Sequence, residues 1–101
     1  MESSFTIVAE PSRRAILELL IDDELSVGEL EKKLRMSQPS VSRHLRLLRE
    51  AGLVECRTDA QRRLYRLTAS PLKELDDWLI PFRRFWNKRV DALEKHLDKM
   101  K

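Results

Sequence analysis

The sequence has 101 residues, of which 37% are charged and 42% hydrophobic, with 2 Gly, 4 Pro and 1 Cys. A chain of this length supports one domain with a modest core, so an enzyme with its own substrate cleft is not expected. The single cysteine excludes an internal disulfide and a multi-thiolate metal site. The composition predicts a mostly α-helical protein, and the lack of a signal-like or membrane-spanning run predicts a cytoplasmic one.

Positive charge is concentrated in the middle of the chain. Residues 1–36 carry 5 Lys or Arg against 8 Asp or Glu, residues 37–70 carry 7 against 3, and residues 71–101 carry 8 against 6. A local excess of cations is what a polyanion partner requires, although it is also compatible with an ordinary solvated surface. Nucleic acid is therefore a candidate partner.

The first third of the chain predicts three short helices. Apolar spacing predicts the first two over residues 3–9 and 12–21. Ser26 and Glu29 then form a capping box, in which each side chain satisfies a backbone amide of the other residue. The helix that follows this box is expected to end near Arg35.

A further helix follows after a three-residue turn. Ser37 is its predicted N-cap and Pro39 falls in its first turn, where a missing amide hydrogen costs nothing. Gly52 is the predicted left-handed C-terminal cap, with Leu53 as its hydrophobic contact. At about 100° per residue, Val41, Leu45 and Leu48 face the core and four polar residues project from the opposite side. These four are Gln38, Ser42, Arg43 and Arg46.

Two helices joined by a tight turn, the second presenting polar and Arg side chains, are typical of a helix-turn-helix that enters the major groove. Gln can bind an adenine edge, Arg a guanine edge, and Ser a base or a phosphate. Extended segments over residues 54–57 and 63–67 predict a hairpin wing, with Arg57, Arg62 and Arg63 reaching phosphates or a minor groove. The alternative is a helical hairpin with a solvated arginine face.

Three stretches resemble the winged-helix repressors of the arsenical-resistance regulator (ArsR) family: EPSRRAILELL, SVGELEKKLRMSQPSVSRHLRLLREAGLVECR and RRLYRLT. The C-terminal PLKELDDWLIPFRRFWNKRVDALEKHL resembles a metal-free subgroup that includes repressors of the sporulation-delay type. The resemblance implies one winged helix-turn-helix domain over residues 1–101, mostly α with a small β-hairpin wing. Its parts are a helix-turn-helix at about 26–51, a wing at about 53–68 and a dimerisation helix at about 71–99.

The resemblance also implies a dimer that binds a palindromic operator on double-stranded DNA, usually at its own promoter, and blocks transcription. By match to the family's motif, the base-reading candidates are Gln38, Ser40, Ser42 and Arg43. The remaining predicted DNA contacts are Ser37, Arg46, Arg57, Gln61, Arg62 and Arg63.

Two positions depart from the family's pattern. Family wings commonly carry Gly at the tip, but here the tip reads Asp59-Ala60-Gln61, so a two-residue primed turn is not expected. Glu10 stands where the family favours Asp before Pro. Because Glu caps a helix less well, we expect a looser start to the second helix.

Single residues with distinctive chemistry also have plain structural explanations. His44 lies at the border of the core stripe and is expected to be a hydrogen-bonded structural histidine rather than a base reader or ligand. Cys56 is expected to be a small buried hydrophobe, because no second cysteine could resolve an oxidised form. Arg13 and Arg14 are candidates for phosphate contacts or for an ion pair with a neighbouring glutamate.

Neither metal site of the family is retained. Ser26 and Gly28 stand where the family's thiolate site has its two cysteines, and only Asp91 and His96 remain of its C-terminal site. Those two lie about 140° apart on a helix surface and are too few for a zinc site. We therefore expect no metal and no other cofactor.

The C-terminal segment predicts a long amphipathic helix, with Ser70 as its cap, Pro71 as its first residue and a kink at Pro81. Its apolar stripe recurs over about 25 residues and would be about 40 Å long, too long for one small domain to cover. A second copy should therefore cover it, although a core helix of a monomer is the alternative. The predicted dimer contacts are Phe5, Trp78, Leu79, Phe82, Phe85, Trp86, Val90, Leu93 and Leu97.

The leading hypothesis is a homodimeric, metal-independent repressor of a palindromic operator, located in the cytoplasm and associated with the nucleoid. One alternative is a switch that responds to a small molecule or lipid in a pocket among Trp78, Phe82 and Trp86. Another is a protein-interaction adaptor that does not bind DNA. The sequence offers no nucleophile paired with a base, no phosphate-binding loop and no metal cluster, so an enzyme is not expected.

Overall fold

The computed structural model describes residues 4–99, which fold into helices packed on one face of a small antiparallel sheet with strand order β1-β3-β2. The elements in chain order are α1 Ser4–Val8, α2 Pro11–Leu19, β1 Leu25–Ser26, α3 Val27–Leu34, α4 Gln38–Glu50, β2 Val54–Asp59, β3 Arg62–Leu67 and α5 Ala69–Lys99. The prediction of a mostly α fold with a hairpin wing is confirmed. Residue 3 of the predicted first helix and the two ends of the predicted 1–101 domain lie outside the described residues.

The helix-turn-helix is formed by α3 and α4 and follows from local hydrogen bonds. Glu29 N donates to Ser26 Oγ at 3.2 Å, and Ser26 N donates to Glu29 Oε1 at 3.1 Å, which completes the predicted capping box. Arg35 ends α3 in the left-handed region, with φ 55°. Ser37 caps α4 by accepting a hydrogen bond from Ser40 N at 3.4 Å. Both predicted caps are therefore confirmed.

The end of α4 is a Schellman motif centred on Gly52, which has φ 77°. Gly52 N donates to Arg49 O at 3.0 Å, and Leu53 N donates to Leu48 O at 2.9 Å. Leu48 and Leu53 are both fully buried, so the hydrophobic contact that accompanies this motif is present. The cap turns the chain from α4 directly into β2.

The core lies between α1, α2, α3 and α4 and the inner face of the sheet. Aliphatic side chains from these helices meet the buried residues of the strands there, as the apolar spacing of the helices predicts. The side chains with almost no exposure are Ile7, Ile16, Leu30, Val41, Leu45, Leu48 and Leu53.

The wing turn differs from the sequence expectation. Strands β2 and β3 pair without interruption from Val54 opposite Leu67 to Asp59 opposite Arg62, which leaves only Ala60 and Gln61 in the loop. Ala60 has φ 58°, so the expectation that a two-residue primed turn is absent was wrong. A positive φ at the first central residue alone is the pattern of a type II′ turn. The long ladder fixes the register and imposes this conformation on an alanine.

The boundaries of two other helices also differ. Helix α5 begins at Ala69, so Ser70 and Pro71 lie inside its first turn instead of being its cap and first residue, and the helix continues through Pro81. Helix α2 begins at Pro11 and is capped by Glu10, whose Oε2 accepts from Arg13 N at 3.0 Å.

Helix α5 has 31 residues and gives the molecule an elongated shape of 62 × 29 × 21 Å. Leu72 near its start packs against the core, and Phe5 of α1 contacts Trp78 with ring centroids 5.1 Å apart. Beyond that contact its apolar side chains are largely exposed. Within residues 4–99, no helix combines the length and apolar character needed to cross a membrane.

Candidate nucleic-acid interface

Helix α4 presents two chemically different faces. Val41, Leu45 and Leu48 are buried against the core, as predicted from their spacing. Gln38 and Arg43 on the other side are exposed. The same 3.6-residue period that anchors the helix therefore holds its polar residues in a fixed orientation towards solvent.

The first turn of α4 carries short hydrogen bonds between polar side chains. Gln38 Nε2 donates to Ser42 Oγ at 2.9 Å, and Ser37 Oγ donates to Ser40 Oγ at 3.0 Å. Within residues 4–99 the Gln38 amide has one N–H and its oxygen without a partner, and these are the two groups needed to bind an adenine edge. Its contact with Ser42 holds the amide across the helix surface instead of leaving it to rotate.

A basic cleft lies between α4 and the wing. It has a volume of about 370 Å³ and is lined by Val27, Gln38, Ser42, Arg46, Arg49, Arg63 and Tyr65. The three arginines have no acidic side chain within 4.0 Å anywhere in residues 4–99. Arg49 was not among the predicted site residues. Its position three residues after Arg46, on the same side of the helix, is the signal that could have identified it.

The other wing arginines, in contrast, are engaged in ion pairs. Arg57 Nε lies 2.7 Å from Glu24 Oε2, and Arg62 NH2 lies 2.5 Å from Glu29 Oε1. The hydrogen bond from Arg57 lowers the pKa of Glu24 below its ordinary value. The structure thus brings Arg63 together with the polar face of α4. Arg57 instead contacts Glu24, which precedes α3, and Arg62 contacts Glu29 in the first turn of α3. Gln61 is exposed at the wing tip.

His44 is buried at 6% exposure on the core side of α4, but the expected hydrogen bond is missing at one of its nitrogens. Within the described chain, His44 Nδ1 has no hydrogen-bond partner, and Glu10 Oε2 is 4.0 Å away. The expectation of a hydrogen-bonded histidine was therefore wrong at Nδ1. Burial lowers the pKa of His44, so its neutral form is favoured.

Three further residues with distinctive chemistry do not line the basic cleft. Arg13 Nε donates to Ile7 O at 2.6 Å and Arg14 NH1 donates to Val8 O at 2.8 Å, so both arginines bind the carbonyl end of α1. Cys56 was expected to be buried but is half-buried; it pairs with Tyr65 in the sheet and packs against the core.

The predicted dimer residues lie along one exposed stripe. Leu79 is half-buried, and the other residues of the predicted set are exposed. Trp78 contacts Phe82 with ring centroids 4.6 Å apart. Across residues 4–99, no group of three His, Cys, Asp or Glu side chains is arranged to hold a metal ion.

Comparison with known proteins agrees with this geometry. Residues 10–55 match the family described as bacterial regulatory protein, arsR family. The HTH-type transcriptional regulator Rv2034 of Mycobacterium tuberculosis is 36% identical over 97 residues, which cover 96% of this chain and 88% of Rv2034. The transcriptional repressor SdpR of Bacillus subtilis is 29% identical over 82 residues, covering 81% of this chain and 91% of SdpR.

The transcriptional activator HlyU of Vibrio cholerae is 43% identical over 72 residues, covering 71% of this chain and 67% of HlyU. A solved structure of HlyU from Vibrio cholerae N16961 superposes with a TM-score of 0.65 at 40% identity, covering 77% of this chain and 85% of that one. All three relatives are named as regulators of transcription. This chain belongs to the arsR family of bacterial regulatory proteins, and is a DNA-binding transcriptional regulator and not an enzyme.

Proposed function

We propose that the protein is a homodimeric, metal-independent repressor that reads a palindromic operator with α4 and contacts the flanking phosphates with its wing. The observation that carries the proposal is the exposed polar face of α4 beside a cleft whose arginines have no acidic partner in residues 4–99. Cations without an internal partner are free to bind phosphate, and the held Gln38 amide is free to bind a base edge. The site of action would be chromosomal DNA in the cytoplasm.

Dimerisation is supported by the apolar stripe of α5. The side chains of Trp86 and Phe85 are 42% and 60% exposed, and apolar side chains are similarly exposed up to the last turns of the helix. A contiguous exposed apolar surface of this kind marks an interaction site. A twofold axis would relate the two copies of α4 in such a dimer, which is the symmetry needed to read the two half-sites of a palindrome about one DNA turn apart.

Repression, rather than activation, is the simpler consequence of such a complex. A dimer bound over a promoter blocks transcription by occupying the DNA, and needs no further contact with the transcription machinery. SdpR, which matches this chain over most of its own length, is named a repressor, whereas HlyU is named an activator. We therefore expect the promoter to become active when the gene for this protein is deleted.

Metal independence is supported by the positions that replace the family's thiolates. Ser26 Oγ is occupied as the cap of α3, and Gly28 offers no side chain. We expect zinc, cadmium or a chelator to leave operator affinity unchanged when the protein is titrated with labelled DNA. A reproducible tenfold change at stoichiometric metal would contradict this part of the proposal.

The test of the proposed function uses the DNA upstream of the gene for this protein. The purified protein is titrated against a duplex that contains an inverted repeat, a duplex with one half-repeat and a scrambled duplex of the same length. We expect tight binding to the full repeat only, with two chains per duplex in sedimentation. Equal affinity for the repeat and the scrambled duplex would overturn sequence-specific recognition.

A second candidate, a repressor that responds to a small apolar effector, has one observation in its favour. An open cleft of about 280 Å³ lies between α1, α2 and α5, beside the start of the apolar stripe, and Val8, Leu17, Leu72 and Leu75 supply its apolar lining. It is not the predicted pocket among Trp78, Phe82 and Trp86. Release of bound operator by a small apolar compound, with loss of that response in Leu17→Gln, would favour this candidate.

A further inference from the structure

We propose that Glu29 lowers the DNA affinity of this protein, because its carboxylate competes with DNA phosphate for the guanidinium of Arg62. This inference rests on the proposed function, since it concerns how the wing meets DNA. Glu29 lies in α3, the first helix of the helix-turn-helix, and would weaken the contact that Arg62 of the wing makes with a phosphate.

The two side chains join parts of the fold that are 33 residues apart in sequence. Arg62 is the first residue of β3, directly after the wing turn, and its NH2 lies 2.5 Å from Glu29 Oε1. The Arg62 side chain remains 59% exposed, so a phosphate can approach it from solvent. The free protein therefore holds the guanidinium near the wing tip with an internal anion in the place where a phosphate would bind.

Glu29 is fixed in position for a separate reason. Its Oε1 also accepts a hydrogen bond from Ser26 N at 3.1 Å, as the second half of the capping box of α3. That backbone hydrogen bond, together with Arg62, lowers the pKa of Glu29 below its ordinary value. The carboxylate thus stays ionised at neutral pH and cannot follow Arg62 to the DNA without leaving the cap.

The ion pair at the base of the wing differs from this one. Glu24 contacts both Arg57 and Arg66, and its own side chain is only 28% exposed. An acid that is shared by two arginines and partly covered holds the strands in place. Glu29 has Arg62 as its one charged partner in the described chain, and the pair is more exposed, so a phosphate can displace it.

Displacement has a measurable consequence for salt dependence. A phosphate that binds Arg62 releases a condensed counterion from the DNA, which makes affinity fall with added salt. The freed Glu29 carboxylate then attracts a cation from solution, which cancels part of that release. Glu29 should therefore weaken binding to every DNA sequence alike and flatten the dependence of affinity on salt concentration.

The experiment compares Glu29→Gln with Glu31→Gln in the full-length protein. Gln at position 29 can keep the capping hydrogen bond while the charge is lost. The control removes the same charge from the same helix, at a side chain with no ion pair within residues 4–99. Affinity for the inverted repeat and for random duplex DNA is measured by fluorescence anisotropy at several salt concentrations.

We expect Glu29→Gln to bind both DNAs about two- to fivefold more tightly than Glu31→Gln, the range measured for single exposed ion pairs. Its log–log salt slope should be steeper by up to about one. In an Arg62→Ala background the substitution at position 29 should have no effect beyond that of Glu31→Gln.

Equal affinities and slopes for the two Gln variants, or weaker binding by Glu29→Gln, would overturn the competition and leave the pair as a structural clamp. Persistence of the Glu29→Gln effect without Arg62 would overturn it as well. If the wild-type protein binds the repeat, these outcomes overturn the role of Glu29 and leave the proposed function intact. Failure of the wild-type protein and all variants to bind any DNA would overturn the proposed function, and the inference with it.

Discussion

Helices α4 and α5 are both amphipathic, but within residues 4–99 the apolar face of α4 is buried whereas that of α5 is mostly exposed. Val41 and Leu48 of α4 are fully buried, whereas Phe85 and Leu93 of α5 are 60% and 58% exposed. The difference lies in position, because α4 is enclosed by α2, α3 and β2 while most of α5 extends beyond the domain. A hydrophobic stripe thus predicts burial without saying whether the cover comes from the same chain. The apolar face of α4 thus supports the fold of one chain, and the exposed stripe of α5 is the surface that we propose for dimerisation.

The largest expected effect tests the two stripes directly. Leu48→Ala in α4 should lower the free energy of unfolding by about 2–5 kcal/mol, because it leaves a cavity in a closed core. Leu93→Ala in α5 is the matched substitution at an exposed site, and its effect should depend on protein concentration because it acts through the dimer. Urea unfolding at two protein concentrations separates these behaviours. Equal and concentration-independent losses would show that α5 is part of the same core.

The second prediction breaks the proposed interface with a charge. Trp86→Glu should weaken dimerisation by about 100-fold or more, since it removes an aromatic anchor and buries a carboxylate without a partner. Lys88→Glu, on the opposite side of α5, is the control and should leave the dimer intact. Sedimentation velocity gives the result. A stable wild-type monomer that binds its repeat tightly would contradict the account of α5.

The third prediction concerns the polar face of α4. Gln38→Ala or Arg43→Ala should cost about 1–3 kcal/mol on the inverted repeat and less on random DNA, because base contacts are lost. Arg62→Ala should weaken both DNAs alike and flatten the salt dependence, because a phosphate contact carries no sequence information. Anisotropy titrations with both duplexes measure the ratio. Equal losses on the two DNAs for Gln38→Ala would exclude base reading by that residue.

Features that depend on residues close together in the sequence could be predicted, and features that depend on distant residues could not. The caps at Ser26, Ser37 and Gly52 were predicted correctly, because each depends on neighbours within a few residues. Strand β1 was missed, since two residues form a strand only by pairing with the distant β3. The wing turn was predicted wrongly because the register of the ladder, and not the residue type at the tip, decides the conformation of Ala60.

The candidate site divides in the same way. The exposed residues of α4 follow from helical periodicity alone, so their placement could be predicted. The ion pairs of Arg57 and Arg62 join positions 33 residues apart and became visible only in the folded chain. The position of Arg49 on the same side of α4 as Arg46 could be predicted, but its place in the basic cleft also depends on the wing, which contributes Arg63 and Tyr65.

The smallest expected effect is on the pH dependence of stability, and it compares a buried histidine of α4 with an exposed histidine of α5. His44 is buried near Glu10 and close to the positive charges of Arg13 and Arg43, whereas His96 is exposed on α5. Because burial is the main cause that lowers the pKa of His44 in the folded protein, the unfolded chain takes up a proton there at higher pH. The His44 contribution to stability is therefore complete above about pH 6.5 and declines as the pH falls towards the lower folded pKa.

Replacing His44 by Met should remove this contribution, so that stability declines less steeply below about pH 6.5 than in the wild-type protein. His96→Met, at an exposed position, is the control and should leave the wild-type profile in place. Urea unfolding between about pH 5 and 8 measures all three proteins over the range in which histidine titrates. A wild-type profile in His44→Met would show that protonation of His44 is not linked to folding, and that Glu10 compensates for its burial.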